Sequence, residues 1–413
     1  MVTLAKSENS LLSSSQSTDV LFGSKLKERM VLFCIGFATF LNLYVTQPLL
    51  PRFREMFGTS ELMVSLTVSS TVLAVAIAAP LIGILADKFG RKRVILVAMI
   101  CLSLPTFMVA SVESLWALIM WRFMQGLCIP GIIAVTMAYI SEESPIHSVG
   151  SIMATYVTGT VVGGFVGRLL AGICESLGYW REAFLLFGLM TLVTAFGVLW
   201  QLPRSSKFSR QQGQGASLVS LGHHLQNRQL LTTYFIGFNV LFCLVAMFTY
   251  CNFYLADAPF LLSPAELGAI FTVYLIGAVI TPISGRMLDR IGYRKTLSIA
   301  VCIISAGTLL TVVDSVPIIL AGLALASAGV FVCQATASSY VGKVAGQARS
   351  SAAGLYVSFY YFGGVSGSIL PGIFWRQMGW AGCISLVLCL QAVIMAVGLY
   401  YWRDDLGSAE AAE

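Results

Sequence analysis

The stretch Gly83-Ile84-Leu85-Ala86-Asp87-Lys88-Phe89-Gly90-Arg91-Lys92-Arg93 returns about two hundred residues later as Gly285-Arg286-Met287-Leu288-Asp289-Arg290-Ile291-Gly292-Tyr293-Arg294-Lys295. Each copy joins two apolar segments, and each keeps the frame Gly-x-x-x-Asp-x-x-Gly followed by basic residues. The first glycine of each frame suits close helix approach and the second a tight turn. A loop repeated at the same place in each half of a chain marks a duplicated structural unit.

The solvent of that unit is lipid. Of 413 residues, 57% are apolar and 11% charged, and the charges gather in short clusters between long apolar runs. Twelve runs approach the ~20 residues a helix needs to cross a bilayer. They cover roughly 30 to 50, 61 to 84, 94 to 112, 115 to 140, 150 to 174, 181 to 202, 230 to 256, 265 to 285, 297 to 314, 316 to 341, 350 to 374 and 380 to 402. The expected fold is an all-α membrane protein of twelve transmembrane helices, arranged as two pseudo-symmetric six-helix bundles. A β-barrel would show alternating segments of ~10 residues instead.

The boundaries follow from composition. Residues 1–29 read as a Ser-rich, disordered cytoplasmic tail, with the first helix retained as a signal anchor. Residues 30–202 form the first bundle, 203–229 a polar linker, 230–402 the second bundle and 403–413 a short tail. Further repeats support six plus six. Tyr156, Gly163, Gly164, Gly167 and Gly172 recur as Tyr356, Gly363, Gly364, Gly367 and Gly372, and Thr39, Asn42 and Tyr44 line up with Thr249, Asn252 and Tyr254.

Lys and Arg fix the orientation. With the N-terminus in the cytoplasm, 19 basic residues fall on that side and only Arg52, Arg54, Arg181 and Arg376 on the other. The positive-inside rule therefore puts both termini in the cytoplasm. The net charge of +6 is a topology signal rather than a nucleic-acid patch.

Two bundles around an interface suit alternating access, and duplicated membrane bundles are mostly transporters. In such a machine Gly83, Asp87, Gly90 and Arg91, with Gly285, Asp289, Gly292 and Arg294, would form a conformational latch where the halves meet. Positive-inside anchoring accounts for the basic residues of these loops but not for the repeated Gly and Asp frame. Glu142 and Glu143 are placed to pair with Arg91 or Arg93.

Inside the membrane the charge is purely basic. Arg122, in Arg122-Phe123-Met124-Gln125-Gly126, lies well within the fourth helix, where insertion scales charge ~2.5 to 3.5 kcal/mol for such a side chain. It should face the interior, as a substrate partner or as a neighbour that tunes a proton-carrying group. Arg168 is deep in the fifth helix, where it serves either as a snorkelling anchor or as a functional charge. None of the 19 acidic residues falls near the middle of a span. The nearest titratable carboxylates are Glu61, Asp87, Asp257 and Asp314.

Candidates for the central cavity are Asn42, Tyr44, Gln47, Asn252, Tyr254 and Asp257 on the first and seventh helices, with Arg168 on the fifth. Tyr156, Tyr356, Tyr360 and Tyr361 offer aromatic surface to a flat organic molecule, or else pack the core. Gly159, Gly163, Gly164, Gly167, Gly363, Gly364 and Gly367 are close-packing positions. The ten cysteines read as small packing residues. The three histidines, His147, His223 and His224, fall in loops, so no metal site, cofactor or catalytic cluster is expected and the chain is not read as an enzyme.

The paired loops resemble motif A of the major facilitator superfamily, and the resemblance covers residues 30 to 402. Arg122-Phe123-Met124-Gln125-Gly126 resembles motif B, whose arginine is linked to proton coupling. Gly159-Thr160-Val161-Val162-Gly163-Gly164-Phe165-Val166-Gly167 resembles the antiporter motif C, with Gly164 where that motif has Pro. The run from Tyr44 to Pro51 is similar to that of the acriflavine-sensitivity (YnfM-like) bacterial permeases. The resemblance implies a monomeric inner-membrane permease that uses protons to export small organic molecules, with import by symport or facilitation as the alternative. Arg122, Gln125 and Gly126 would then be the coupling residues.

Overall fold

The computed structural model describes residues 26–145, 148–203, 225–345 and 349–402. Residues 1–25, most of the linker, the three histidines, residues 403–413 and the side chains of Asp87 and Asp289 lie outside the described residues, while residues 26–29, expected to belong to the disordered tail, are helical.

Among the described residues the chain is a succession of apolar helices long enough to span a membrane. We number them α1 (Leu26–Met56), α2 (Glu61–Phe89), α3 (Arg91–Val109), α4 (Leu115–Glu143), α5 (Val149–Ser176) and α6 (Trp180–Gln201) in the first half. The second half holds α7 (Arg228–Ala256), α8 (264–291), α9 (Tyr293–Leu310), α10 (Val316–Val344), α11 (349–378) and α12 (380–401). The last two form one continuous helical run except at Gly379, whose φ of 59° turns the chain back.

Local chemistry sets these ends. Ser60 and Ser114 accept the backbone N–H three residues on, and Asn227 accepts from Gln229 and Leu230, so three helix starts each have one or two free donors met. Ser263 and Glu266 form a reciprocal capping box at the start of α8. Gly90 (φ 88°) and Gly292 (φ 82°) are the single-residue turns α2–α3 and α8–α9. Gly90 has open space around it, so there it is the positive-φ backbone rather than crowding that requires glycine, and Gly292 shares that backbone.

Glycine ridges pack each half. A β-carbon on Gly159, Gly163 or Gly167 of α5 would overlap the carbonyl oxygens of Phe33, Phe37 and Leu41 on α1. In the second half Gly363 and Gly367 of α11 meet Phe238 and Phe242 of α7 in the same way. Backbones approach this closely only where side chains are missing. Gly126 of α4 does the same against Thr71 of α2.

The halves meet through α2 with α11 and α5 with α8. Close contacts between them, Gly172 with Pro264, Gly268 with Arg168 and Gly372 with Leu62, lie away from the repeated basic loops. Polar contacts between the halves cluster at this far end too. Ala265 N donates to Ser176 Oγ at 2.9 Å, and Arg54 pairs with Asp257. The molecule is shut at the far end.

The ridges also correct one repeat. Phe37 sits on Gly163 and Phe238 on Gly363, so α1 and α7 correspond at an offset of 201 residues. The match of Thr39, Asn42 and Tyr44 with Thr249, Asn252 and Tyr254 is nine residues out of register. Polar residues near a helix end recur by composition, whereas the glycine contacts record which turns face each other. In the true register Asn42 corresponds to Cys243.

Candidate transport site

The site is built on a break in α1. Helix covers residues 26–43, residues 44–46 are irregular, Gln47–Leu49 is a short 3-10 turn and Leu50–Met56 resumes the helix. Pro48 and Pro51 each lack the N–H that would bond back to the preceding turn. The interruption leaves carbonyls at the end of the first segment without intrahelical partners.

Arg122 of α4 satisfies them. Its Nη1 donates to the Asn42 carbonyl at 2.7 Å, and its Nη2 donates to the Leu43 carbonyl at 2.5 Å. Nη1 also donates to Gln125 Oε1 at 2.6 Å, and Nε to the Thr67 carbonyl at 3.3 Å. The network continues from Gln125 Nε2 to Thr106 Oγ1 (2.7 Å), from Thr106 to Asn42 Oδ1 (3.2 Å), and from Asn42 Nδ2 to Thr191 Oγ1 (3.0 Å). Arg122 and Asn42 are fully buried. Every acceptor around the guanidinium is neutral, so carbonyl dipoles rather than a carboxylate hold this charge.

Arg168 of α5 forms a second centre nearer the far end. Its Nε donates to Gln47 Oε1 at 2.8 Å and its Nη1 to the Gly164 carbonyl at 2.7 Å. The guanidinium carbon stands 4.9 Å from the ring centre of Tyr44, 4.5 Å from Phe271 and 5.0 Å from Tyr274. Gln47 Nε2 in turn donates to Thr249 of α7 at 3.4 Å, so the chain of contacts crosses between the halves. A β-carbon at Gly164 would lie 3.4 Å from Arg168 Nη1, and glycine there leaves the guanidinium its room.

Tyrosines complete the surroundings. Tyr360 and Tyr361 of α11 meet edge to face at 5.4 Å, and Tyr356 lies 6.4 Å from Tyr360. Tyr156 approaches Gly36 and the Tyr356 ring covers Gly237, at matching positions of the two halves. The buried hydroxyls of Tyr156 and Tyr356 have no hydrogen-bond partner among the described residues.

Two candidates for the cavity, Asp257 and Tyr254, fall elsewhere. Asp257 caps α7 at the far end, where both its oxygens accept from Arg54 at 2.6 and 2.9 Å, and Arg54 also donates to Glu61 at 3.1 Å. Tyr254 stacks on Trp380 and donates to Asp314 within the second half. Asn252 is buried and bonds back to the Phe248 carbonyl. The wrong register of α7 put these residues opposite Asn42 and Tyr44.

At the basic end Arg91 pairs with Glu142 at 2.8 Å, within the first half. Lys92 donates to the Leu199 carbonyl at 2.8 Å, and Arg294 donates to the Leu399 carbonyl, a symmetric pair of bonds onto the last turns of α6 and α12. Gly83 lies near the end of α2, and Gly285 of α8 has open space beside it.

Sequence reasoning missed Arg54 as a partner of Asp257, and Phe271 and Tyr274 as partners of Arg168. It missed also the buried pair Asn239 and Gln391, with Gln391 Nε2 donating to Asn239 Oδ1 at 3.1 Å. A glutamine in the middle of the twelfth span was the available signal for the last.

Comparison with known proteins agrees with the fold and extends it. The family model described as Major Facilitator Superfamily matches residues 32–261 and 253–412. The chain is 32% identical over 373 residues to the MFS-type transporter YybF of Bacillus subtilis (strain 168), covering 90% of this chain and 92% of that one. It is 31% identical over 375 residues to the inner membrane transport protein YnfM of Escherichia coli (strain K12), covering 90% of each. The crystal structure of the nucleoside transporter NupG superposes with a TM-score of 0.74 at 17% identity, over 91% of this chain and 100% of that one. The chain belongs to the Major Facilitator Superfamily of membrane transporters.

Proposed function

We propose that this transporter exports small organic compounds across the bacterial inner membrane in exchange for protons, working as a monomer with both termini in the cytoplasm. The supporting observation is the sequence of features along α1. The far-end closure at Arg54 and Asp257 comes last, the Arg168 cluster lies below it, and the break held by Arg122 below that. One helix thus links a gate, a charged cluster and a hinge, and all three can change when the halves rock.

Arg122 takes part as a fixed charge, because a guanidinium does not release its proton in proteins. Its role with Gln125 and Gly126 is to make the energy of a proton nearby depend on the position of the α1 break. The Gly83-Asp87-Gly90-Arg91 and Gly285-Asp289-Gly292-Arg294 loops act as the latch when the basic end closes. The inner-membrane location rests on the likeness to YnfM and on the positive-inside distribution.

A second reading is symport or facilitated import of a nutrient, and the lack of a carboxylate in mid-span favours it, since the substrate would then carry the proton itself. Inverted vesicles bearing an acid-inside gradient, reported by a pH-sensitive dye, separate the two. Export predicts that a substrate added outside discharges the gradient. A substrate taken up by whole cells that leaves the vesicle gradient untouched would establish the second reading instead.

A further inference from the structure

We propose that Arg168 is the docking point for the anionic group of the substrate, and that the substrate class is a small organic acid with a flat, unsaturated body. This rests on the export reading only in taking the Arg168 cluster to lie on the transport path.

Arg168 is 3% exposed and has no carboxylate partner among the described residues. An unpaired buried charge is costly, and a mere anchor in this place could be an uncharged side chain. Its neutral partners engage Nε and Nη1, while Nη2 makes no hydrogen bond among the described residues. The guanidinium therefore keeps donors for a ligand, and the fork of a guanidinium matches a carboxylate or similar planar oxyanion.

The walls give the rest of the ligand. Tyr44, Phe271 and Tyr274 surround the cation, with Tyr360 and Tyr361 of α11 near Tyr44. Such walls suit a planar apolar body. The rings come from α1 in one half and from α8 and α11 in the other, so a ligand held here touches both halves. Arg122 adds a second positive charge, and the acidic residues stand at helix ends. The local field favours an anion over a cationic drug.

The test uses the purified full-length transporter in detergent and a panel of aromatic carboxylates, each paired with its neutral amide, benzoate with benzamide being the first pair. Binding is read by tryptophan fluorescence and by thermal shift for the native chain, Arg168→Gln and Arg168→Lys. We expect at least one acid to bind the native chain in preference to its amide. Arg168→Gln should lose that acid on the order of tenfold to hundredfold, the range for hydrogen bonds to a charged group, while retaining its amide. Arg168→Lys should fall between.

If no acid outbinds its amide, or if Arg168→Gln weakens acid and amide equally, the anion site is refuted. The export reading is judged apart, by gradient discharge in vesicles. A cationic solute exported normally would sink the anion proposal and leave export intact. An acid that binds at Arg168 without discharging the gradient would do the reverse.

Discussion

Removing one oxygen charge at the far end should open it. Asp257→Asn replaces a carboxylate that accepts from both Nη1 and Nη2 of Arg54 with an amide that cannot hold that fork. The pair is half in water, with Asp257 45% and Arg54 21% exposed, so screening limits its worth. Exposed pairs contribute roughly 0.2 to 1 kcal/mol, and the bidentate geometry puts this one near the top of that range. Arg54 keeps Glu61 at 3.1 Å, so the variant loses the bond between the halves and not the one within the first half. A loss of ~1 kcal/mol moves a two-state equilibrium about fivefold.

The readout is a distance between spin labels at Leu177 and Leu261, exposed far-end positions of the first and second halves, in a background without the ten free cysteines. The native chain should give mainly the short distance, and Asp257→Asn should populate a longer one about fivefold more. Arg54→Asp combined with Asp257→Arg should restore part of the closed population. Raising the salt from 0.01 to 1 M, which shortens the screening length from about 30 to 3 Å, should shrink the difference between native and variant. Identical distance distributions for the native chain and Asp257→Asn would show that the pair does not hold the gate.

The other consequences concern the interior. Arg122→Leu strands the Asn42 and Leu43 carbonyls, at about 1 to 3 kcal/mol each, but relieves a buried charge of similar cost, so the fold survives. Transport should fall at least about tenfold, and amide exchange at residues 44–46 should quicken; unchanged exchange there would refute the staple. Gly163→Val and Gly363→Val each drive a side chain into a facing backbone and should lower thermal stability by roughly 1 to 3 kcal/mol or more, whereas Gly285→Ala, in open space, should stay within about 0.5 kcal/mol. Equal melting of all three variants would contradict the ridge packing. Tyr156→Phe removes a buried hydroxyl that has no partner among the described residues, so thermal stability should hold or rise; a marked loss would mean that the hydroxyl is bonded.

The membrane fold was legible because lipid allows few solutions. Apolar runs of bilayer length, the Lys and Arg asymmetry and the repeated Gly frame each report a constraint that acts within one segment. The pairing of α5 with α1 was half legible, since Gly159, Gly163 and Gly167 announce a close contact without naming the partner. What Arg122 and Arg168 touch was legible only in part, in Gln125, Gln47 and Tyr44. Besides Gln125 and Gln47 their partners are backbone carbonyls and aromatic rings, and carbonyls leave no signature in sequence. The register of α7 failed for a related reason: Asn and Tyr near a helix end recur by composition, while the turn that faces Gly363 is settled only by packing.

In the corrected register the duplication becomes unequal in one respect. The 29-residue helices α4 and α10 place Leu323 opposite Arg122, and the offset of α5 and α11 places Ser368 opposite Arg168. Leu323 is buried in apolar packing, and Ser368 merely bonds its own helix at the Val365 carbonyl. Correspondingly α7 runs unbroken from Arg228 to Ala256, where α1 is interrupted at residues 44–46. The break and its arginine therefore go together: an intact helix has no stranded carbonyls and needs no buried cation to satisfy them. Among the described residues the second half keeps a neutral version of the network, Asn239 with Gln391 and Cys243. The first half thus supplies, among the described residues, both buried charges and the hinge, and the second supplies Phe271 and Tyr274 against Arg168, with Tyr360 and Tyr361 near Tyr44. A solute that engages the charge and the rings together is bound by both halves at once, which is the condition for its binding to bias how they rock.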